Sequence, residues 1–551
     1  MTAVIYYDPE GYTTSGPRLM GRNAAGESFL RGFMLHSQVE EFWVQVEHPD
    51  HAQHFAQTLN VTTPDKSVRW VDKNNLGALA QLGVVYYPGP GIGKEAFKRA
   101  AYGHDAWSLC GITHTTSSAI AMDALLELLT APVQPWDAVI CTSTTVKHNV
   151  ERLLQAQVDY LVDRFGIQKF TLPLLPVIPL GIHTQDFVFK VRQKNDARKA
   201  IGAGKNTLVV LYMGRLSFHG KAHPLAMYQA LEKAAGQLAI GKKIVLVECG
   251  WHDNDFIEKA YQEAAQLACP SIRVVALDGR VAQNRTTAWA SADIFCSLSD
   301  NLQETFGIAP IEAMAAGLPV VVSDWDGYKD TVREGVDGFR VPTLMPAVGL
   351  GSDLALRHGL GQDTYDMYLG HTCSFIAVDV EAAAQAFSKL LASSALRKEM
   401  GAAGQARARE VYDWSVIIPQ YEVLWAQQAE MRKEQGPSLK PLAHPWPARM
   451  DPFAAFVSYP SAYLTLETQL DLVDAEGVVA YKRLSEYRQL AMVNFANQVL
   501  PTEDECQVVL DELSKGAMSA ADIIKVLPAE RQAFVFRALA WLLKLGIIKV
   551  V

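Results

Sequence analysis

With 551 residues, 49% of them hydrophobic and 20% charged, the chain has material for several buried cores and the balance of an ordinary globular protein. Its net charge of -9 gives no electrostatic case for nucleic acid as the principal partner, and its seven dispersed cysteines lack the paired spacing of a zinc site or a redox dithiol. No charged-then-apolar leader opens the sequence and no apolar run reaches the roughly 18 to 20 residues that span a bilayer, so the expected location is cytoplasmic.

The first expected strand is Ala3-Val-Ile-Tyr-Tyr7, followed by a polar, Gly-containing loop and a helix start within Ala24-Ala-Gly-Glu-Ser-Phe-Leu-Arg-Gly-Phe33. A Gly-bearing loop after a first strand is a place where α/β folds hold the phosphates of one substrate or a second substrate, which makes Gly26 a candidate binding residue; a plain loop-to-helix junction is the competing reading. Gly83-Val-Val-Tyr-Tyr87 runs into Pro88-Gly-Pro-Gly-Ile-Gly-Lys94, which is no phosphate loop: a Walker loop needs Gly where Pro88 stands and Ser or Thr where Glu95 stands. Lys94, Lys98 and Arg99 read as a small basic patch, either a solvated face or a contact for an anionic acceptor or a membrane surface. Trp107-Ser-Leu-Cys-Gly-Ile-Thr-His114 is a strand that would present His114 at the carboxyl edge of a sheet, where α/β ligands bind. Trp136 to Ser143 and Val177 to His183 fit the same strand pattern and read as structural.

A second domain starts near Asp196. Its first strand, Thr207-Leu-Val-Val-Leu-Tyr-Met213, leads into Gly214-Arg-Leu-Ser-Phe-His-Gly-Lys221, where Arg215 supplies a planar fork for phosphate oxygens and Lys221 a flexible point charge. Ile244 to Gly250 and Ile272 to Gly279 are the next strands, and Ile294-Phe-Cys-Ser297 is a short buried one. After it, Glu304-Thr-Phe-Gly-Ile308 falls in the turn that opens a helix over Ala309 to Ala316, stopped by Gly317 and Pro319. Unpaired N–H groups and the positive end of the helix dipole favour phosphate there, and Gly307 lets a ligand approach the backbone. Glu304 and Glu312, with seven residues between them, can address one ligand from different depths, and carboxylates accept hydrogen bonds from sugar hydroxyls.

Leu344 to His371 reads as a Gly-bearing insertion without regular structure. Helices follow from Val380 to Arg409, and Tyr412-Asp-Trp-Ser-Val416 starts another. Gly436 to Pro447 is an extended, Pro-rich linker. Beyond it, Ser519-Ala-Ala-Asp522 caps a short helix, and a longer helix places Phe534, Ala538, Trp541, Leu542 and Leu545 on one face before a terminal strand, Ile547 to Val551. This order looks like a winged-helix-type module, yet residues 436–551 hold eleven Lys plus Arg against thirteen Asp plus Glu, the wrong sign for a phosphate backbone. It is read as a module for self-association or docking.

Glu304, Phe306-Gly307-Ile308 and Glu312-Ala-Met-Ala-Ala-Gly-Leu-Pro319, with Gly214-Arg-Leu216, Lys221 and Thr113-His114, resemble retaining GT-B glycosyltransferases of family 4 over roughly residues 1 to 432. The family has paired glycines where this chain has Ala25-Gly26. The resemblance implies an α/β architecture of two Rossmann-like domains facing across a cleft, an acceptor domain over 1–195 and a donor domain over 196–412. A crossover helix over 413–435, a linker over 436–460 and a small, mostly helical accessory domain over 461–551 complete the expected organisation. It implies transfer of a hexose-type sugar from a nucleotide-diphosphate donor, with UDP favoured over GDP, to a glycan or lipid-linked hydroxyl in bacterial polysaccharide biosynthesis, with retention and without metal or cofactor. By the same resemblance Glu304 holds the sugar, Glu312 the ribose, His114 the sugar from the opposite domain, and Arg215 with Lys221 the diphosphate. Phe306, Gly307, Ile308 and Gly26 line the donor. A nucleotide-sugar epimerase, a phosphorylase with a pyridoxal-linked lysine, or a non-catalytic scaffold are the alternatives, and contact with the inner membrane face is the expected peripheral site.

Overall fold

Six short aliphatic runs build the first sheet: β1 (Val4–Tyr6), β2 (Glu41–Gln45), β3 (Ser67–Val71), β4 (Val84–Tyr86), β5 (Ser108–Ile112) and β6 (Ala138–Ile140). All pairings are parallel, in the order β3-β2-β1-β4-β5-β6. The second sheet repeats that winding with β7 (Thr207–Met213), β8 (Lys243–Gly250), β9 (Arg273–Asp278), β10 (Ile294–Ser297), β11 (Val320–Ser323) and β12 (Gly338–Val341), ordered β12-β11-β10-β7-β8-β9. Every residue of β10 and β11 is buried, as befits strands covered by helices on both faces. In each sheet the chain reverses its direction of winding, beside β1 and β4 in the first and beside β10 and β7 in the second. The carboxyl ends of strands at such points leave a crevice for ligands.

This computed structural model describes residues 2–14, 21–474 and 476–551, and part of the Gly-containing loop expected after β1 lies outside the described residues. Contacts divide the chain into two compact units, Met1–Trp446, which holds both parallel sheets, and Pro447–Val551. Among the described residues no helix is long and apolar enough to cross a membrane.

The helix Trp414–Gln435 leaves the second sheet's lobe and packs into the first. Asp413 caps it, accepting from the Ser415 amide, and the Trp414 ring fills a slot where a Cβ on Gly32 or Gly181 would stand 2.5 Å from it. Tyr421 and Trp425 continue the same buried stripe against Phe29, Phe33 and Tyr86. Further along, Gln428 donates to the Leu109 and Trp136 carbonyls at 2.8 and 2.9 Å. The first lobe is therefore completed by the end of the chain segment that follows the second. His183, expected to be structural, bonds the Ser28 carbonyl at 3.2 Å, and burial first, then the Arg31 charge, pushes it down to about 4, so it is neutral.

Two expectations are corrected. The basic patch does not exist as one: helical periodicity turns Arg99 fully inward, where its guanidinium grips the equally buried Asp137 at 2.6 and 2.8 Å. Lys98 pairs with Glu95 at 3.0 Å. The insertion near 344–371 is not irregular, because it carries the helices Ser352–Gly359 and Tyr365–Cys373 between two short antiparallel strands, β13 (Thr343–Leu344) and β14 (Ala377–Val378).

The second unit is built on a three-stranded antiparallel sheet of β15 (Gln469–Leu472), β16 (Met518–Ser519) and β17 (Ile548–Val550), ordered β16-β15-β17. The helices Gly477–Arg488, Glu503–Leu513, Ala520–Lys525 and Ala529–Lys544 cover it with Leu484, Leu510, Ile523 and Leu539. Ser519 caps the third of these by accepting from the Asp522 amide, as its spacing predicts. In the last helix Ala538 and Leu542 are buried as expected, while Phe534, Trp541 and Leu545 are only partly so.

Asp137 also accepts from the Leu109 and Gln134 amides at 2.8 and 2.7 Å, so removing it strands a buried cation and two amides. Asp137→Ala should cost roughly 3–5 kcal/mol in urea unfolding, whereas Lys98→Ala should stay within about 0.5 kcal/mol. Equal losses would show the buried pair to be no more important than a surface one.

Candidate functional site

The second sheet ends in two loops, 214–223 after β7 and 298–307 after β10, and a set of short hydrogen bonds joins them. The Ser299 hydroxyl donates to the Lys221 carbonyl at 3.2 Å, the Asn301 amide to the His219 carbonyl at 2.9 Å, and Asp300 accepts from the His223 amide at 3.2 Å. Ser323 at the end of β11 anchors the second loop from below through the Ser299 carbonyl, 2.5 Å away. Small hydroxyl and amide side chains suit this work, since each satisfies main-chain groups that turns leave unpaired.

On this frame Lys221 and Glu304 meet, Nζ to Oε2, at 2.5 Å. Glu304 is 9% exposed and Lys221 31%. Burial alone would push the Glu304 carboxyl up, but the Lys221 charge and its hydrogen bond outweigh it and hold the group below its ordinary range, ionised. The Tyr328 hydroxyl, itself 2.8 Å from Ser297 Oγ, donates to the same carboxylate oxygen at 3.4 Å. Arg215 lies beside the pair, its Nη2 donating to the Gly220 carbonyl at 3.0 Å and to Gln303 Oε1 at 3.3 Å, with Asp253 at 3.7 Å.

Gly307 caps the helix Ile308–Ala315 with a φ of 83°. A Cβ there would stand 1.9 Å from the Tyr328 ring, so the position demands glycine twice, for its conformation and for the ring. The first turn of that helix leaves the N–H groups of Ile308 and Ala309 without intrahelical partners, available to an anion. Two turns in, Glu312 is half-buried, and its carboxyl is pushed up to about 7 by desolvation, with Arg285 opposing. Arg285 donates to the Gly279 and Arg280 carbonyls just after β9, which places Glu312 and the loop after β9 around one region.

The first lobe reaches the same loop. Thr305 Oγ1 donates to the His114 carbonyl at 3.2 Å, and Thr142 Oγ1 approaches the Thr305 carbonyl at 3.5 Å. His114, two residues past β5, is thus brought beside the segment that bears Glu304. At the opening of the helix Thr144–Phe165, Ser143 Oγ donates to Asp326 at 3.3 Å and the Thr144 amide to Asp330 at 2.6 Å.

Of the residues named from sequence, Arg215, Lys221, Glu304, Gly307, Ile308 and Glu312 come from the two loops and the helix they open, and His114 adjoins them across the lobes. Two expected donor ligands take other places. The Phe306 ring is 1% exposed and packs on Tyr412, so only its main chain can face a ligand. Gly26 lies inside the helix Gly21–His36, which begins earlier than expected, and a Cβ on it would stand 2.1 Å from the Gly11 carbonyl oxygen. Its missing side chain serves the packing of helix on loop.

Sequence reading missed Gln303, Asp326 and Tyr328. Asp326 adopts φ 42°, rare for a residue with a side chain, and is pushed up to about 7 by burial and then by the Glu304 charge. The Asp-Gly pair after a buried strand is a turn signal, and it was the available clue to that position.

Comparison with known proteins agrees with this geometry. Residues 193–344, which contain every donor-lobe candidate, match the family Glycosyl transferases group 1. A phosphatidyl-myo-inositol mannosyltransferase of Mycobacterium leprae is 33% identical over 136 residues, 25% of this chain, which thus spans about a quarter (27%) of that relative's length. A D-inositol 3-phosphate glycosyltransferase of Geodermatophilus obscurus is 27% identical over 258 residues, 44% of this chain and 53% of that protein. The crystal structure of Anabaena HepE in complex with UDP shares the fold, with 77% of this chain covering 100% of that one at 16% identity and a TM-score of 0.50. Residues 193–344 thus match the glycosyl transferases group 1 family, and they lie in a chain whose pair of six-stranded parallel sheets is of GT-B type.

Proposed function

We propose that the protein transfers a hexose-type sugar from a nucleotide-diphosphate donor to an acceptor hydroxyl, with retention of configuration. The observation that carries this reading is the Lys221–Glu304 contact at 2.5 Å beside Gly307 and the N-terminus of the helix Ile308–Ala315. An ammonium, a guanidinium on Arg215 and unpaired amide N–H groups within one loop frame form a seat for a departing diphosphate. Charge develops on the leaving oxygens as the bond to the sugar breaks, and dipoles fixed before the reaction stabilise it without rearranging.

Glu304 neutralises Lys221. A diphosphate competes for the ammonium, and as Lys221 turns to phosphate the carboxylate, still held by Tyr328, is freed to accept hydrogen bonds from sugar hydroxyls. Glu312 is placed to accept from ribose hydroxyls, and His114 approaches the sugar from the first lobe. We favour UDP over GDP, which the UDP in the Anabaena protein of the same fold supports. We read the acceptor as a glycan or lipid-linked hydroxyl of bacterial polysaccharide synthesis. The acceptor would enter from the first lobe, whose loops are free to differ between relatives on a shared fold. The second unit, with its acidic balance, is read as a docking or self-association module.

A thermal-shift screen of UDP, GDP, ADP and their sugars should find one diphosphate that raises the melting temperature, a ligand at 100 times its Kd adding about 2.7 kcal/mol. Glu304→Gln should lower transfer by roughly a hundredfold or more with the diphosphate still bound, whereas Lys221→Met should weaken diphosphate binding by about tenfold or more. Normal turnover in both variants would overturn the assignment.

The raised Glu312 carboxyl gives a pH signature. The folded protein keeps its proton up to about 7 while an unfolded chain loses it near 4.5, so ionisation costs stability progressively between these values and fully above them. Glu312→Gln should therefore raise the melting temperature of the unliganded protein at pH 8 but not at pH 4, while weakening nucleotide binding. A stability change independent of pH would show that the carboxyl is not desolvated.

A further inference from the structure

The segment between β13 and β14 is a small rigid body with its own internal charge cluster. Asp363, 4% exposed, accepts from Arg357 at 2.8 and 3.0 Å and lies 3.0 Å from His371 Nδ1, and His358 stacks on Tyr368 with ring centroids 4.3 Å apart. It stands off the donor lobe: a cavity of about 410 Å³ separates Phe218, His223 and Asp300 from Asp366 and Met367. The helix that Thr364 caps meets the donor lobe at Gly370, where a Cβ would stand 3.1 Å from the His219 Cβ, and its first residue, Tyr365, reaches further.

The Tyr365 hydroxyl is 2.8 Å from Ser117 Oγ of the first lobe and accepts from Gln303 Nε2 of the donor loop at 3.3 Å. The other end of the Gln303 amide accepts from Arg215 at 3.3 Å, and Ser117 continues to Thr115 Oγ1 at 3.1 Å, one residue past His114. One phenol therefore ties the loop that follows His114 to the side chain that orients Arg215. A hydroxyl can do both because it offers one proton and two lone pairs.

We propose that Tyr365 is a positioning residue: the 343–378 insertion clasps the two lobes together through Tyr365, and the same hydroxyl fixes Arg215, through Gln303, where the leaving diphosphate must be met. Lobe approach and leaving-group stabilisation share one group, since both arms end on the Tyr365 hydroxyl. This inference rests on the reading of Arg215 as a diphosphate ligand, but the clasp itself can be tested without turnover.

The test compares the full chain with Tyr365→Phe, Ser117→Ala and the double variant. Tyr365→Phe keeps the ring and loses only the hydroxyl. In hydrogen exchange, the amides of residues 115–118 should exchange roughly five times faster or more in every variant, and those of 302–304 in the two variants that lack the Tyr365 hydroxyl, with the insertion's own helices unchanged. In transfer assays kcat should fall about tenfold with the donor KM changed less than about threefold, and the double variant should be no worse than either single one. Faster exchange confined to the insertion, or additive losses in kcat, would overturn the clasp. Absence of transfer from every nucleotide sugar by the unmodified protein would instead sink the proposed reaction, and exchange at 115–118 would still decide whether the clasp exists.

Discussion

A lysine can be kept at the edge of this sheet, partly withdrawn from water and aimed at one spot, only because Glu304 lies against it. An isolated ammonium there would turn to solvent, and an isolated carboxylate as buried as Glu304 would take up a proton. Together they hold their charges, and the loops that carry them need each other: Ser299, Asn301 and Asp300 all bond the backbone of residues 219–223. The sheet supplies the height at which the loops end, Ser323 the floor, and Tyr328 both the wall beside Gly307 and a second hydrogen bond to the carboxylate. A cation poised in this way is preorganised for an anion that arrives later.

The same loop is where the lobes touch. Thr305 meets the backbone of His114, and Asp326 and Asp330, next to Tyr328, meet the residues that open the helix after β6. The strained backbone of Asp326 and its raised carboxyl fit a residue placed by surroundings that over-determine it, at a junction where two lobes and a charged site converge. The insertion adds a second point of contact through Tyr365, on a body stiffened from within by Asp363.

The parts governed by local rules were legible in the chain. β7 and β10 fall on the residues their apolar runs define, and the helix after Gly307 begins where its glycine and good helix formers place it. Lys221 and Glu304 were legible as candidates because each sits in a loop that follows a strand, at a recognisable spacing. What was hidden depends on partners distant in sequence. Nothing near Arg99 announces that Asp137 will meet it, so three basic residues read as a surface patch. Nothing near Tyr328 in sequence announces that its ring fills the space a Cβ on Gly307 would need. The glycines of the insertion masked two helices, one of them capped by Thr364.

The chain leaves the first lobe at Ile182–Thr184 and returns at Tyr412–Trp414, and these two passages run side by side, bridged by the Ile182 amide to the Tyr412 carbonyl at 2.8 Å and by Thr184 Oγ1 to Asp413 at 2.6 Å. The whole intervening sheet is therefore an insertion whose entrance and exit share a single doorway. Such a body is tied to the main chain of the first lobe at one place, like a leaf on one hinge pin, even though its core runs on into the one that the returning Trp414 completes.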